Sequence, residues 1–425
     1  MEFMKKILII SPHYPPSNLA AVHRSRLFAQ HLPAFGWEPI ILCVNERDYE
    51  EDLDWNLQAL LPKEQCIEKV HAFPVTKPRF IGDIGLRAYF QLRRKALELV
   101  RKDKIDFVYI PIPSFYVSLI GTYLNRKTKV KFGIDYIDPW VHQFPGSEKR
   151  FSRHWFSTQL ASYLEPKALQ NVSLITGVAE GYYQKVVERN PSLTKTCVFG
   201  AMPYGGEKQD HLAVKELGIK PYLFQNNSNV QLIYAGAMLP KAYEPLQLLF
   251  EIIHENPDVF KDIEIHFIGT GKTPNDPVGY NIKPYAEKYG LWETQVFEYP
   301  KRIPYLDVLV HLENSDGVFI LGSTEPHYTP SKTYQGVLSE KPIFAMLHSA
   351  STAAEVLESS YAGKVFKIKP DSLDEQKEEL LSCFIEFLEF RDTFSSSNVD
   401  LNQFEQYSAE NVTSQLAKLL NEVTE

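Results

Sequence analysis

The sequence has little cysteine, no long apolar run and no excess of basic residues, and each shortage removes a class of function. Its four cysteines, Cys43, Cys66, Cys197 and Cys383, are scattered through 425 residues with no C-x-x-C pair. They read as reduced thiols, neither a disulfide framework nor a zinc site. No apolar stretch approaches the ~20 residues a helix needs to span a bilayer. Ile7–Ile10, between Lys5-Lys6 and Ser11-Pro12, is too short for the apolar region of a signal peptide, so the expected location is the cytoplasm. A formal charge of −8 argues against a nucleic-acid partner, because neutralising phosphates takes a basic surface.

What remains is an ordinary globular composition, 44% hydrophobic and 23% charged. That length suits two domains of roughly 200 residues each. Ile7–Ile10 reads as a buried strand, Ser11–Asn18 as a loop, about Ala20 to Phe35 as a helix stopped by Gly36, and Pro39–Val44 as a second strand. This opening is a parallel βαβ unit. Further strands are expected at Asp106–Ile110, Val130–Ile134 and Ser173–Val178. Residues 203–229, rich in Pro, Gly and Asn, read as a linker. The pattern then restarts at Gln231–Ala235. The expected organisation is a first domain over 1–202, a second over 230–395, and a segment 396–425 whose helix crosses back to the first. The fold class is α/β, two Rossmann-like domains facing across a cleft.

The most informative stretch is Gly317–Met346. Val318–Leu321 reads as a strand buried on both faces. Thr329-Pro330 then opens a helix, with threonine as cap and proline at the first helical position. Tyr334, Val337 and Leu338 face inward, and Ser331, Lys332 and Gln335 share a polar face. The amides of Ser331 and Lys332, the helix dipole and the Lys332 ammonium make this an expected anion site, most naturally for phosphate. The plainer reading is a strand–loop–helix with a solvated face. Asp135-Tyr136-Ile137-Asp138-Pro139-Trp140-Val141-His142 closes another strand, where two carboxylates and a histidine suit a cleft. The alternative there is turn-forming aspartates beside a packed tryptophan. Gly269-Thr270-Gly271-Lys272-Thr273 imitates the end of a P-loop, but that motif needs a glycine where His266 stands, and Pro274 interrupts the helix. Arg87–Lys95 is basic and aromatic: either a solvated helix face or a surface for anionic lipid, with arginines outward and Phe90 and Leu92 nearby.

Pro330-Ser331-Lys332, Gln335 and Lys341-Pro342-Ile343 resemble the nucleotide-sugar segment of the retaining glycosyltransferases known as group 1 or family 4, which have the glycosyltransferase B fold. The Tyr-Pro-Pro loop, Asp138-Pro139-Trp140 and Gly236–Lys241 are similar to other segments of that family. The sequence departs from the pattern at several points. Asn18-Leu19-Ala20-Ala21 stands where a Gly-Gly pair is usual, Ala237 replaces a clamp arginine, Gln335 replaces a glutamate, and His327 stands eight residues before it, with Glu325 two earlier.

The resemblance implies a transferase that moves a sugar, with retention, from a nucleoside diphosphate sugar to a glycan or lipid-linked acceptor hydroxyl, as in polysaccharide or cell-envelope synthesis. It implies Asp138, Glu325 and His327 as catalytic candidates, and Gly236, Lys241, Tyr328, Ser331, Lys332 and Gln335 as donor ligands. Asn18, Asp135 and His142 would meet the acceptor. No metal or cofactor is expected, since ammonium groups and a helix dipole supply the charge, and peripheral contact with an anionic membrane is expected. A sugar-nucleotide epimerase of the same fold and a non-catalytic nucleotide-sugar binder are the alternatives.

Overall fold

The computed structural model describes residues 4–77, 79, 81–141, 149–225, 227–326 and 328–425. The chain folds into two compact units, one formed by residues up to Tyr204 together with Ala409–Glu425, the other by Gly205–Ser408.

Unit 1 is built on seven strands: β1 (Lys5–Ile10), β2 (Trp37–Val44), β3 (Cys66–Val70), β4 (Phe107–Ile112), β5 (Lys131–Tyr136), β6 (Leu174–Gly177) and β7 (Val198–Ala201). They pair in the order β3-β2-β1-β4-β5-β6-β7, parallel throughout. Ile7 to Ile10 are fully buried, as a strand covered by helices on both faces requires. The first helix is α-helical only over Ala20–His31 and tightens to a 3-10 turn over Leu32–Phe35. Pro33 has no N–H for an α-helical bond, and Gly36 at φ +81° ends the turn in the left-handed region.

Unit 2 has six strands: β8 (Val230–Ala235), β9 (Ile263–Ile268), β10 (Val296–Tyr299), β11 (Gly317–Leu321), β12 (Ile343–His348) and β13 (Gly363–Ile368). Their order, β10-β9-β8-β11-β12-β13, repeats the doubly wound plan of unit 1. Phe319, Phe344, Phe384 and Phe387 form its aromatic core, with Phe344 and Phe384 ring centres 4.9 Å apart. Both units are Rossmann-like.

The boundary between the units falls at Tyr204–Gly205, at the start of the expected linker 203–229, and the rest of that stretch belongs to unit 2. The helix Lys208–Glu216 packs on the helix Tyr305–Glu313 within unit 2, and the Tyr305 hydroxyl donates to Asp210 at 2.9 Å. The asparagines that looked like spacer serve Glu264, which accepts from Asn227 at 3.0 Å, Asn229 at 2.8 Å and Gln231 at 3.1 Å. Burial works against that carboxylate's charge, yet these amides hold its pKa below the usual range. Polar composition marked a site of amide–carboxylate bonding here, a distinction spacing does not make.

The last helix, Ala409–Thr424, lies on unit 1. Val412, Leu416, Leu420 and Val423 recur at helical spacing and share a core with Phe28, Leu32 and Trp37. Among the described residues no helix is long and apolar enough to cross a membrane.

Candidate functional site

In a doubly wound sheet, ligands bind beyond the carboxyl ends of the strands where the winding reverses. In unit 2 that point lies between β8 and β11. The loop after β8 begins at Gly236, whose φ of +148° suits glycine best, and runs to Lys241. It meets the loop after β11: Thr324 N–H donates to the Lys241 carbonyl at 3.1 Å, and Lys241 Nζ lies 3.5 Å from Glu325 Oε1. Lys241 is well exposed, so this pair adds little stability and leaves the ammonium available to an anion. Tyr328 belongs to the same loop, its N–H donating to Glu325 O at 3.3 Å and its carbonyl accepting from Ser351 Oγ at 3.0 Å. His327 lies outside the described residues.

The start of the following helix differs from the sequence expectation. Threonine 329 does not cap it: its hydroxyl pairs with Thr352 Oγ1 at 3.0 Å. The helix spans Lys332–Leu338, with Ser331 in the cap position and no side-chain cap bond. Tyr334 and Val337 are buried, while Leu338 is half-buried.

Lys332 is half-buried at the start of this helix. Its Nζ lies 5.5 Å from the centre of the Tyr305 ring. Burial first, and then the nearby Arg302 guanidinium, lower its pKa to about 8. Among the described residues no carboxylate pairs with it. A poorly solvated ammonium beside a second cation is relieved by an anion. Arg302 follows β10 and was missed in the sequence, because no local motif ties it to Lys332, thirty residues on.

Gln335 is not turned wholly toward a ligand. It is buried, and its Oε1 lies 2.9 Å from His211 Nε2, whose Nδ1 lies 2.6 Å from Glu313. The expected polar face is therefore half structural. Its amide nitrogen makes no bond to another described residue. The Gly269–Thr273 turn is no phosphate loop: Thr270 donates to Glu298 at 2.7 Å, and Glu298 also accepts from the amides of Asn281, Ile282 and Lys283, each at 2.9 Å.

In unit 1 the winding reverses between β1 and β4. The loop after β1 carries a cluster absent from the sequence expectation. His13 Nδ1 lies 2.9 Å from Glu51 Oε1, and the Ser17 hydroxyl donates to the same oxygen. Burial alone would raise the Glu51 pKa, but the bonds from His13 and Ser17 bring it down to about 2. The His13 ring rests 5.0 Å from that of Tyr49, and no described residue bonds its Nε2. A hydrogen bond from Nδ1–H to Glu51 leaves Nε2 to face a ligand, the orientation a carboxylate gives a histidine that handles hydroxyl protons. Asp83, close enough for His13 to favour its charge, accepts from Ser114 at 3.0 Å, and burial raises its pKa. Only the position of His13 just after the first strand signalled this cluster. Glu51 is too far along the chain for spacing to reveal it.

Of the expected acceptor residues, Asp135 needs correction. It is fully buried; Arg24 grips both carboxylate oxygens, at 2.5 and 3.0 Å, and Thr176 donates to one at 2.8 Å. Arg24 also donates to the carbonyls of Met202 and Pro203, so Asp135 ties β5 and the first helix to the end of β7 and cannot meet an acceptor. Asp138 stands exposed after β5, beside Trp140, which stacks on Phe115 at 5.8 Å. Asn18 is half-buried, its Oδ1 3.0 Å from His23 Nε2. His142 lies outside the described residues. Over the expected lipid face Arg87–Lys95, Phe90 and Arg94 are exposed, while other members have partners within the protein. Leu92 is buried, Arg87 bonds the Phe73 and Asp48 carbonyls, and Arg93 lies over the rings of Tyr123, Phe90 and Tyr89.

No protein-family profile matches the chain, and no curated protein is found similar in sequence. Solved structures do match. HepE of Anabaena in complex with UDP is 14% identical, with a TM-score of 0.61, over 99% of this chain and 100% of that one. A glycosyltransferase of Rickettsia africae is 15% identical, TM-score 0.62, over 99% and 98%. Sucrose-phosphate synthase of Thermosynechococcus elongatus is 12% identical, TM-score 0.63, over 98% of each chain. HepE is also solved in complex with UDP-glucose. The fold is therefore the glycosyltransferase B fold, with two Rossmann-like domains.

Proposed function

We propose that this protein is a glycosyltransferase that moves a sugar from a nucleoside diphosphate sugar to the hydroxyl of a glycan or lipid-linked acceptor in polysaccharide or cell-envelope synthesis. The observation that carries this reading is the Lys332 ammonium, half-buried beside Arg302 and paired with no carboxylate among the described residues, at the winding reversal of unit 2. A diphosphate meets that need. Lys332 and Arg302, with Lys241 from the neighbouring loop, would neutralise it as it leaves. The Gln335 amide nitrogen is the donor for a ribose hydroxyl, with Glu325 and Tyr328 alongside. The likeness to HepE, solved with UDP and with UDP-glucose, favours a uridine donor.

In unit 1 the acceptor hydroxyl would bond His13 Nε2, with Asp138, exposed after β5, as a candidate second polar contact. Transfer breaks the bond between the anomeric carbon and the phosphate oxygen and forms one to the acceptor oxygen. In the retaining course the acceptor proton passes to the departing phosphate, and no cofactor is required. The His13–Glu51 pair favours a second course, in which His13 takes that proton and the anomeric configuration inverts.

Incubating the full chain with UDP-glucose and related donors, with and without sugar acceptors, tests the reading. Acceptor-dependent release of the nucleoside diphosphate is expected. An isomerised donor, or binding of every donor without turnover, overturns it in favour of an epimerase or a binder. The anomeric proton coupling of the product separates the two courses, and under inversion His13→Gln lowers turnover by about 10²–10⁴-fold.

A further inference from the structure

The helix Lys208–Glu216, in the stretch expected as a linker, contributes two consecutive side chains to the surroundings of Lys332 and Gln335. Asp210 accepts from the Tyr305 hydroxyl at 2.9 Å, and the Tyr305 ring centre lies 5.5 Å from Lys332 Nζ. His211 meets Gln335 directly: its Nε2 lies 2.9 Å from Gln335 Oε1, and its Nδ1 lies 2.6 Å from Glu313 Oε1. His211 and Gln335 are both buried, and Glu313 ends the helix Tyr305–Glu313. An amide oxygen and a carboxylate can only accept, so both ring nitrogens donate here, and Glu313 matches the charge of the ring. Three helices of unit 2 thus supply one chain of bonds, Glu313 to His211 to Gln335.

A glutamine amide has a donor end and an acceptor end of nearly the same shape, so only its neighbours fix which end a ligand meets. His211 engages the oxygen, which leaves the amide nitrogen for the ligand. A polar side chain aims its bond well only when its own conformation is held by a second layer of contacts. We propose that His211, held in turn by Glu313, is a positioning residue for the nucleotide: it locks the Gln335 amide with its nitrogen set to donate to a ribose hydroxyl. This rests on the donor-binding reading of Gln335 given above and extends it to two residues of other helices. If the chain of bonds only tied those helices together, losing His211 would act alike on nucleotides with and without ribose hydroxyls. Positioning confines the loss to nucleotides that carry them.

Calorimetric titration of the full chain with UDP and with dideoxyuridine diphosphate, which lacks both ribose hydroxyls, tests it. The wild type should bind UDP the more tightly. His211→Asn keeps a donor for Glu313 but is too short to reach Gln335. It should weaken UDP by roughly threefold to tenfold and the dideoxy nucleotide by less than about twofold. His211→Gln, whose longer amide reaches Gln335, should restore UDP binding to within about twofold of the wild type. In a Gln335→Leu background His211→Asn should weaken UDP no further, which keeps the test decisive if the glutamine variant folds poorly. A loss shared equally by the two nucleotides, no loss for UDP, or a further loss in the Gln335→Leu background overturns the inference and leaves the diphosphate site standing. A wild type that binds neither nucleotide overturns the donor reading and the inference with it.

Discussion

At the scale of single residues, the partners of a charge decide what it does for stability. Asp135 and Asp138 lie three positions apart with opposite fates. Breaking the buried Arg24–Asp135 pair leaves a guanidinium uncompensated, so Asp135→Asn should cost about 3–5 kcal/mol of stability in chemical denaturation, and Asp138→Asn less than about 0.5 kcal/mol. Lys332 has the reverse character. Its folded-state pKa of about 8 lies below the ordinary 10.5, so the unfolded chain binds more protons between those values and stability rises with pH across that window. Lys332→Met should therefore stabilise the ligand-free protein at neutral pH, by a margin that shrinks as pH climbs through that range. Nucleotide affinity should move the other way for the wild type, falling as pH passes about 8 and the ammonium is lost, while Lys332→Arg should flatten that dependence. Calorimetric titrations at several pH values read both slopes.

At the scale of elements, apolar periodicity made the strands and the closing helix legible, and long-range polar pairing stayed hidden. The runs Ile7–Ile10 and Val318–Leu321 lie in buried strands because no other element hides both faces of so short an apolar segment. The closing helix depends on its own apolar stripe in the same way. Truncating Leu416→Ala opens a void against Phe28 and Leu32 and should cost about 2–5 kcal/mol, measured as a lower midpoint of denaturation. By contrast, Glu51, Arg302 and His211 gain their meaning from partners at least thirty residues away: His13, Lys332 and Gln335. Nothing in a window of sequence shows which carboxylate a histidine will find. The differences from expectation at Thr329 and over 205–229 share a cause. Hydroxyls and amides satisfy local caps and loops in general, but here tertiary partners, Thr352 and Glu264, take them.

At the scale of the molecule, one plan occurs twice in the chain. Each unit winds its parallel sheet outward from a central pair of strands, and each gathers its reactive side chains at the carboxyl end of that pair. Unit 2 brings Lys332 and Arg302 together, with Lys241 on a neighbouring loop, a set of cations suited to an anionic ligand. Unit 1 collects a histidine held by a carboxylate, as a hydroxyl requires. The account depends first on the cations, and isothermal titration of UDP into the wild type and Lys332→Ala tests them most directly. Saturable binding that the substitution weakens by about 1.5–3 kcal/mol is predicted, the worth of one charge-assisted bond. Equal affinities in the two proteins would contradict it.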